Sequence, residues 1–316
     1  MSRPLFFVGF CLSFFCWTNT VSGEVYTDLS AHTSEKKLWG EHQPVPEPIK
    51  TAGLFSQKKP APEPEPEEEE TAAALPSWLE YAVPAPEMEE DAPMIAIVID
   101  DLGLNRKMTK AVLSLPAPIT ASFLSYANDL PQQTEQARLK GHELLLHTPM
   151  EPINPRFNPG PDALRTDMSA EEIEQKIEIM LEAFSDYVGI NNHMGSKFTS
   201  DKKAIAVVIN KLNEKGLLFL DSLTSGKSAA WKLARDQHVP YAVRDVFLDN
   251  SHNEEDVMKQ LALLEKHALK RRTAVAIGHP HPTTVSALKK WIPKAKEKGF
   301  VFVPISTIAL IKQDAF

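Results

Sequence analysis

From Met94 to the C-terminus, short apolar runs alternate with longer amphipathic stretches, and this restricts the fold more than any other feature of the chain. The apolar runs are Ile95–Ile99, Ile119–Phe123, Glu143–Leu146, Val188–Ile190, Leu217–Leu220, Pro240–Val243, Ala274–Ile277 and Phe300–Val303. Runs of this length between turn signals read as buried strands. The spacing between them predicts helices near 105–115, 130–140, 169–186, 201–215, 226–237, 253–271 and 283–298. Ser169-Ala-Glu-Glu172 is a capping box in which a hydroxyl and a carboxylate satisfy free amides at a helix start. Lys140-Gly141, Lys215-Gly216 and Lys298-Gly299 place a glycine just past a helix, with an apolar strand following at once. Strand–helix alternation sustained over about 220 residues argues for an α/β fold with a parallel sheet, open or closed into a barrel.

Residues 1–93 have a different texture. Met1 to Gly23 carry one basic residue (Arg3), an apolar run of 13 residues and the small-residue site Val21-Ser22-Gly23, the pattern of a secretory signal peptide. The run is short for a bilayer span, which takes about 20 apolar residues, so no stable membrane insertion is expected after cleavage. Both cysteines, Cys11 and Cys16, lie in this segment, so the mature chain holds no thiol and uses no disulfide. Residues 24–93 contain 16 acidic against 5 basic residues and 11 prolines. Prolines without a backbone donor and glutamates that repel one another predict a disordered Pro/Glu-rich spacer. Trp78, Leu79, Tyr81 and Val83 form an apolar island in it that suits docking on the following domain. The domain itself, residues 94–316, has 26 acidic and 28 basic residues. It therefore lacks the electrostatic footprint of a nucleic-acid binder. The expected location is outside the inner membrane, secreted into a periplasm.

The strand ends carry the chemistry. Asp100-Asp101 follow the first strand, His147 the third, Asn191-Asn192-His193 the fourth, Asp221 the fifth, and Gly278-His279-Pro280-His281 the seventh. In parallel α/β folds these ends share one rim, where sites are built. A single such residue is often a cap, a turn or a satisfied core group; five on one rim are hard to assign to coincidence. Asp with His and no Cys is a ligand set for a divalent metal such as zinc. Adjacent aspartates allow one to bind metal and the other to accept a proton. Side chains alternate along a strand, so both reach the site only if the strand kinks, and Gly103 makes that turn plausible. No Gly-rich phosphate cradle and no second Asp/His cluster stand out, which disfavours a two-metal phosphoesterase.

At these residues the chain resembles the divergent polysaccharide deacetylases, a branch of the NodB-like carbohydrate esterases. The resemblance spans roughly 94–310. It rests on Ile97-Val-Ile-Asp-Asp-Leu-Gly103, Glu143-Leu-Leu-Leu-His-Thr-Pro-Met-Glu-Pro152, Gly189-Ile-Asn-Asn-His-Met-Gly-Ser196, Phe219-Leu-Asp-Ser222 and Ala276-Ile-Gly-His-Pro-His-Pro282. It implies a distorted (β/α) barrel with fewer than eight repeats, and metal-dependent hydrolysis of an acetyl group on a cell-envelope glycan. Asp100 is then the catalytic base, Asp101 and His147 are metal ligands, and His279 is the general acid. The family's second metal histidine is replaced by Glu151. The third ligand is therefore either Glu151 or His193; His193 is favoured because it sits on the rim, whereas Glu151 lies in a Pro-broken loop. Asn192, Asp221 and His281 are candidate substrate-binding residues. The family's arginine beside the base has no match in 192–196. This departure and the altered ligand set also suit an inactive relative that binds a glycan or a partner in the cell envelope.

Overall fold

The computed structural model describes residues 75–116 and 118–313; the expected signal peptide and most of the Pro/Glu-rich spacer lie outside the described residues. Nine described strands form one all-parallel sheet: β1 Met94–Leu102, β2 Thr120–Leu124, β3 Glu143–Met150, β4 Gly189–Met194, β5 Leu218–Asp221, β6 Tyr241–Val243, β7 Val246–Phe247, β8 Thr273–Gly278 and β9 Val301–Phe302. The helices are α1 Ser77–Glu80, α2 Arg106–Val112, α3 Leu130–Leu139, α4 Ala170–Leu181, α5 Lys202–Lys215, α6 Ala230–Asp236, α7 Glu254–Arg271, α8 Pro282–Glu297 and α9 Ile305–Gln313. Each helix expected from the spacing is present, as α2 to α8. The capping box of α4 forms in both directions, Ser169 amide to Glu172 carboxylate and Glu172 amide to Ser169 hydroxyl.

The strand order is β6-β5-β4-β3-β2-β1-β8-β7, with β9 beside the first residues of β1. The two ends of this path are consecutive in the chain, separated only by Arg244 and Asp245. β6 pairs with β5, Phe219 opposite Tyr241, and β7 pairs with β8, Val246 opposite Ala276. At the changeover the Arg244 amide donates to the Asp221 carbonyl (3.0 Å) and the Asp245 amide to the Val275 carbonyl (2.8 Å). One extended segment thus serves both edges of the sheet and closes it. The result is the distorted (β/α) barrel of fewer than eight repeats.

Both faces of the sheet are buried, which is why the strands read as unbroken apolar runs. Ile95, Ile97 and Ile99 of β1 face the helices in the outer core. Met94, Ala96 and Val98 face inward with Leu145, Leu218, Leu220, Val275 and Ile277. Ile305, Ile308 and Ala309 of α9, together with Trp78, join this inner cluster and cover the end of the barrel where the strands begin. Among the described residues no helix is long and apolar enough to cross a membrane.

The spacer expected over 24–93 does not extend to residues 75–93, which pack on the barrel. Trp78 is buried, and its amide donates to the Gly216 carbonyl (2.9 Å). Arg138 donates to the Tyr81 carbonyl (2.8 Å), and the Val83 amide to Glu143 (3.3 Å). The apolar island outweighs the prolines because burying an indole is worth more than the freedom lost; truncating a buried Trp costs roughly 3–5 kcal/mol.

Glu143, fully buried at the start of β3, ties this closed end together. Its carboxylate accepts from the Ser306 amide (3.0 Å), the Ser306 hydroxyl and the Val83 amide. Burial pushes its carboxyl above the ordinary range, against the hydrogen bonds from Ser306 and Val83. A raised folded-state pKa means that its contribution to stability is fully present below the unfolded-state pKa and is lost as pH rises through the raised value. Glu143→Ala, which strands three donors, is expected to lower the unfolding free energy by about 2–3 kcal/mol in urea titrations at acidic pH. Glu143→Gln should flatten the decline in stability across that window. An unchanged urea midpoint in Glu143→Ala would show that other acceptors replace the carboxylate.

Candidate active site

The inward-facing positions continue from the inner core to the open end of the barrel. Beyond Val98 comes Asp100, beyond Leu145 comes His147, beyond Leu220 comes Ser222 and beyond Ile277 comes His279, each two residues on and therefore on the same face. Asp100 and Asp101 would point to opposite faces of a regular strand. Here the β1–β2 register slips between Ile99 and Leu102, and Asp101 adopts φ 55°, so both carboxylates reach the rim. The kink expected at Gly103 begins at Asp101. Gly103 completes it at φ 103°, where an added Cβ would lie 2.5 Å from the Ala127 Cβ. Met194 (φ 55°) and Leu223 (φ 47°) are also left-handed and line the same cavity. Such residues cost about 1–3 kcal/mol each, and three of the eight non-glycine residues with positive φ among those described line this pocket.

Three donor atoms converge at the centre. His193 Nδ1 lies 2.9 Å and His147 Nε2 3.2 Å from Asp101 Oδ1, and the two nitrogens are 3.2 Å apart. Asp101 Oδ1 is buried and has no hydrogen-bond partner of acceptable geometry, close as the two imidazoles are. A triangle of N, N and O atoms with such edges matches a face of a tetrahedral site, whose edges are about 3.3 Å for bonds near 2.0–2.1 Å. The donor set therefore fits a divalent cation. Glu151, the alternative third ligand, is used elsewhere. Its Oε1 accepts from Lys197 (2.8 Å) and its Oε2 from the amide and hydroxyl of Thr166. Although burial opposes them, these partners hold its carboxyl down to about 2. It fastens the loop after β3 to the loop after β4.

Asp100 sits beside the triad, its Oδ2 3.6 Å from His147 Nε2. Burial raises its pKa, only partly countered by His147, His279 and a hydrogen bond from Asn191. For Asp101 burial also pushes upward, but His147 and His193 outweigh it and hold that carboxyl well below the usual range. One aspartate is thus disposed to take a proton and its neighbour to stay ionised.

From the neighbouring strand end, His279 Nε2 lies 3.9 Å from Asp101 Oδ2. Its Nδ1 pairs with Asp249 Oδ1 (3.0 Å), while Asp249 Oδ2 accepts from the His279 amide (2.6 Å) and the Thr284 hydroxyl (2.8 Å). Burial alone would depress the His279 pKa; the Asp249 hydrogen bond and the charges of Asp100, Asp249 and Asp101 raise it to about 9. Asp249, His279 and His281 are a second Asp/His cluster, contrary to the expectation that none exists. The Asp249 carboxylate is committed to orienting His279, so the cluster reads as a dyad that aims one imidazole at the first site.

Of the expected substrate residues, Asn192 lines the cavity, with its side chain bound to the Met194 carbonyl (2.7 Å) and the Ser222 amide (3.0 Å). Asp221 does not reach it. Leu220 faces inward, so Ser222 does too, and Asp221 points away to accept from Ser228 (2.6 Å) and the Leu223 amide (2.8 Å). Its surroundings support a loop-capping role. His281 stands behind His279, its ring 4.3 Å from that of His252. Sequence reasoning gave no role to Asn191, Arg244 or Asp249. Asp249 also ends a strand, but β7 is too short to show as an apolar run. Asn191 shares a face with His193, a period-two signal that was there to be read. Arg244 comes from the closing segment; it donates to the carbonyls of Ser222 (2.7 Å) and Leu223 (2.8 Å) and stacks over Phe247. The cavity, about 440 Å³, is walled by Arg244, Phe247 and Leu223 opposite the aspartates.

A protein-family model described as divergent polysaccharide deacetylase matches residues 97–309. An uncharacterized protein of Haemophilus influenzae is 36% identical over 196 residues, covering 62% of this chain and 69% of that protein. The uncharacterized YibQ of Escherichia coli is 37% identical over 201 residues, covering 64% of this chain and 63% of YibQ, so less than two thirds of that relative is spanned. The crystal structure of an uncharacterized protein from Agrobacterium tumefaciens C58 superposes with a TM-score of 0.72 at 29% identity, covering 74% of this chain and 95% of that one.

Zinc or cobalt titration of the purified chain checks the ligand set. His193→Ala and Asp101→Ala are expected to weaken binding by at least about 100-fold, since even an outer partner of a ligand is worth about 10–100-fold. Glu151→Gln should leave affinity within a few-fold; a loss equal to that of His193→Ala would restore Glu151 as a ligand.

Proposed function

The chain belongs to the divergent polysaccharide deacetylase family, and on that premise we propose that it is a metal-dependent hydrolase that removes acetyl groups from a cell-envelope polysaccharide or its fragments. The observation that carries this reading is that Asp100 and His279 both stand against the Asp101–His147–His193 triad, Asp100 Oδ2 3.6 Å from His147 and His279 Nε2 3.9 Å from Asp101. A divalent cation, with zinc suited to this N/O donor set, would be held by those three residues and would supply Lewis acidity toward an acyl group and a water molecule. Asp100 accepts a proton from the attacking water, a role that its burial favours by making the carboxylate more basic. His279, protonated at neutral pH and fixed by Asp249, donates from Nε2 to the departing amine or hydroxyl. Asp249 takes no proton; it holds the ring. Phe247 and Leu223 offer an apolar wall for the acetyl methyl, and Asn192 lies in reach of the sugar. The signal peptide expected over residues 1–23 would direct the protein to the periplasm, where such glycans lie.

Acetate release from N-acetylated and O-acetylated oligosaccharides by the metal-loaded chain is the test. Chelation should abolish it. Asp100→Asn and His279→Ala should each lower the rate by about 10²–10⁴-fold, the usual worth of a general base or acid, while metal still binds. Glycan binding with no acetate released across both substrate classes would replace this reading with a non-catalytic one.

A further inference from the structure

The Asn191 side chain is fully buried, and all of its hydrogen-bonding capacity is used. Its Nδ2 donates to Asp100 Oδ1 (2.8 Å) and to the Ser222 hydroxyl (3.2 Å). Its Oδ1 receives the Ser122 hydroxyl (2.6 Å) and faces His147 Nδ1 (2.8 Å). These contacts join β1, β2, β3 and β4 with the end of β5 through one amide.

The orientation of that amide places Nδ2 against Asp100, where it donates to a carboxylate oxygen. The carbonyl then faces His147, whose Nδ1 must carry the hydrogen. His147 Nε2 is left with its lone pair directed at the point where Asp101 Oδ1 and His193 Nδ1 converge. The reversed amide would put an oxygen 2.8 Å from a carboxylate and an NH₂ against the imidazole, giving His147 the wrong tautomer for a ligand. We infer that Asn191 is a positioning residue with two outputs: its carbonyl sets the tautomer that lets His147 bind metal, and its NH₂ holds Asp100 in place beside the triad. The second output rests on the proposed hydrolytic function; the first does not.

The two outputs separate by substitution. Asn191→Asp keeps an acceptor for His147, but its other oxygen can stand 2.8 Å from Asp100 only by sharing a proton with it, which removes Asp100 as a free base. It should bind zinc within a few-fold of the wild type and lose acetate release by about 10²-fold or more. Asn191→Leu, similar in shape and without polar atoms, should lose about 10–100-fold in zinc affinity as well. Should Asn191→Asp fail to fold, judged by circular dichroism, the metal-free wild-type chain at alkaline pH gives an independent reading. The ¹⁵N spectrum of its neutral histidines should show His147 with its hydrogen on Nδ1 and none on Nε2. An Nε2–H tautomer, or Asn191→Leu binding zinc as tightly as wild type, overturns the inference. So does a parallel loss of zinc affinity and activity in a folded Asn191→Asp, which a merely structural role predicts. Affinity and tautomer are read without substrate. A wild type that releases no acetate therefore overturns the hydrolase reading and leaves the role toward His147 standing or falling on its own result.

Discussion

Closure of the sheet by residues 241–247 is the constraint on which the site depends. β5 and β8 each need a neighbour, and a segment with only Arg244 and Asp245 between its two short strands supplies both. Without it, the pairing of β1 with β8 would still hold His279 beside Asp100. Asp249, just past β7, and Arg244 would lose the strand pairings that carry them to the site. The closing segment also brings Arg244 into the cavity wall, where its guanidinium bonds to the backbone of the loop after β5. Architecture and chemistry thus share seven residues.

A polar layer lies directly on an apolar core, and its energetics explain its connectivity. An ionised group in such a place is expensive unless each lone pair and each proton finds a partner. Asp100, Ser122, His147 and Ser222 all meet at Asn191, which matches donors to acceptors with none left over. The exception is Asp101 Oδ1, buried and without a well-formed hydrogen bond, at the spot where two imidazole nitrogens also point. Beside the satisfied amide of Asn191, this unmatched acceptor marks a candidate cation site.

Much of this was legible in the sequence, and the failures share a cause. The alternation of runs showed the parallel sheet and seven helices, and the rule that parallel strands end on one rim grouped Asp100, Asp101, His147, His193 and His279. That rule gives height along the barrel but not face. Asp221 ends a strand as the others do, yet the phase set by Leu220 turns Ser222 inward in its place. β7 has two residues and Asp249 follows it, too little for periodicity to register. The Pro and Glu content of residues 75–93 hid a docking segment whose order comes from tertiary burial of Trp78, a contact that composition cannot express. Asn191 carries no sign of its role in the sequence, because an amide has no charge to announce it.

The hydrogen bonds of Glu143 fasten both Val83 and Ser306 to the starts of the strands, so the described chain enters and leaves the barrel at the same end. The opposite end, where the strands finish, is left to the pocket. A load applied along the polypeptide would therefore be borne by the closed base and by the pairing of β1 with β8 and β9, several residues below the aspartates. The domain is built like a cup gripped by its foot: it can be held or pulled from one side while its mouth stays undistorted.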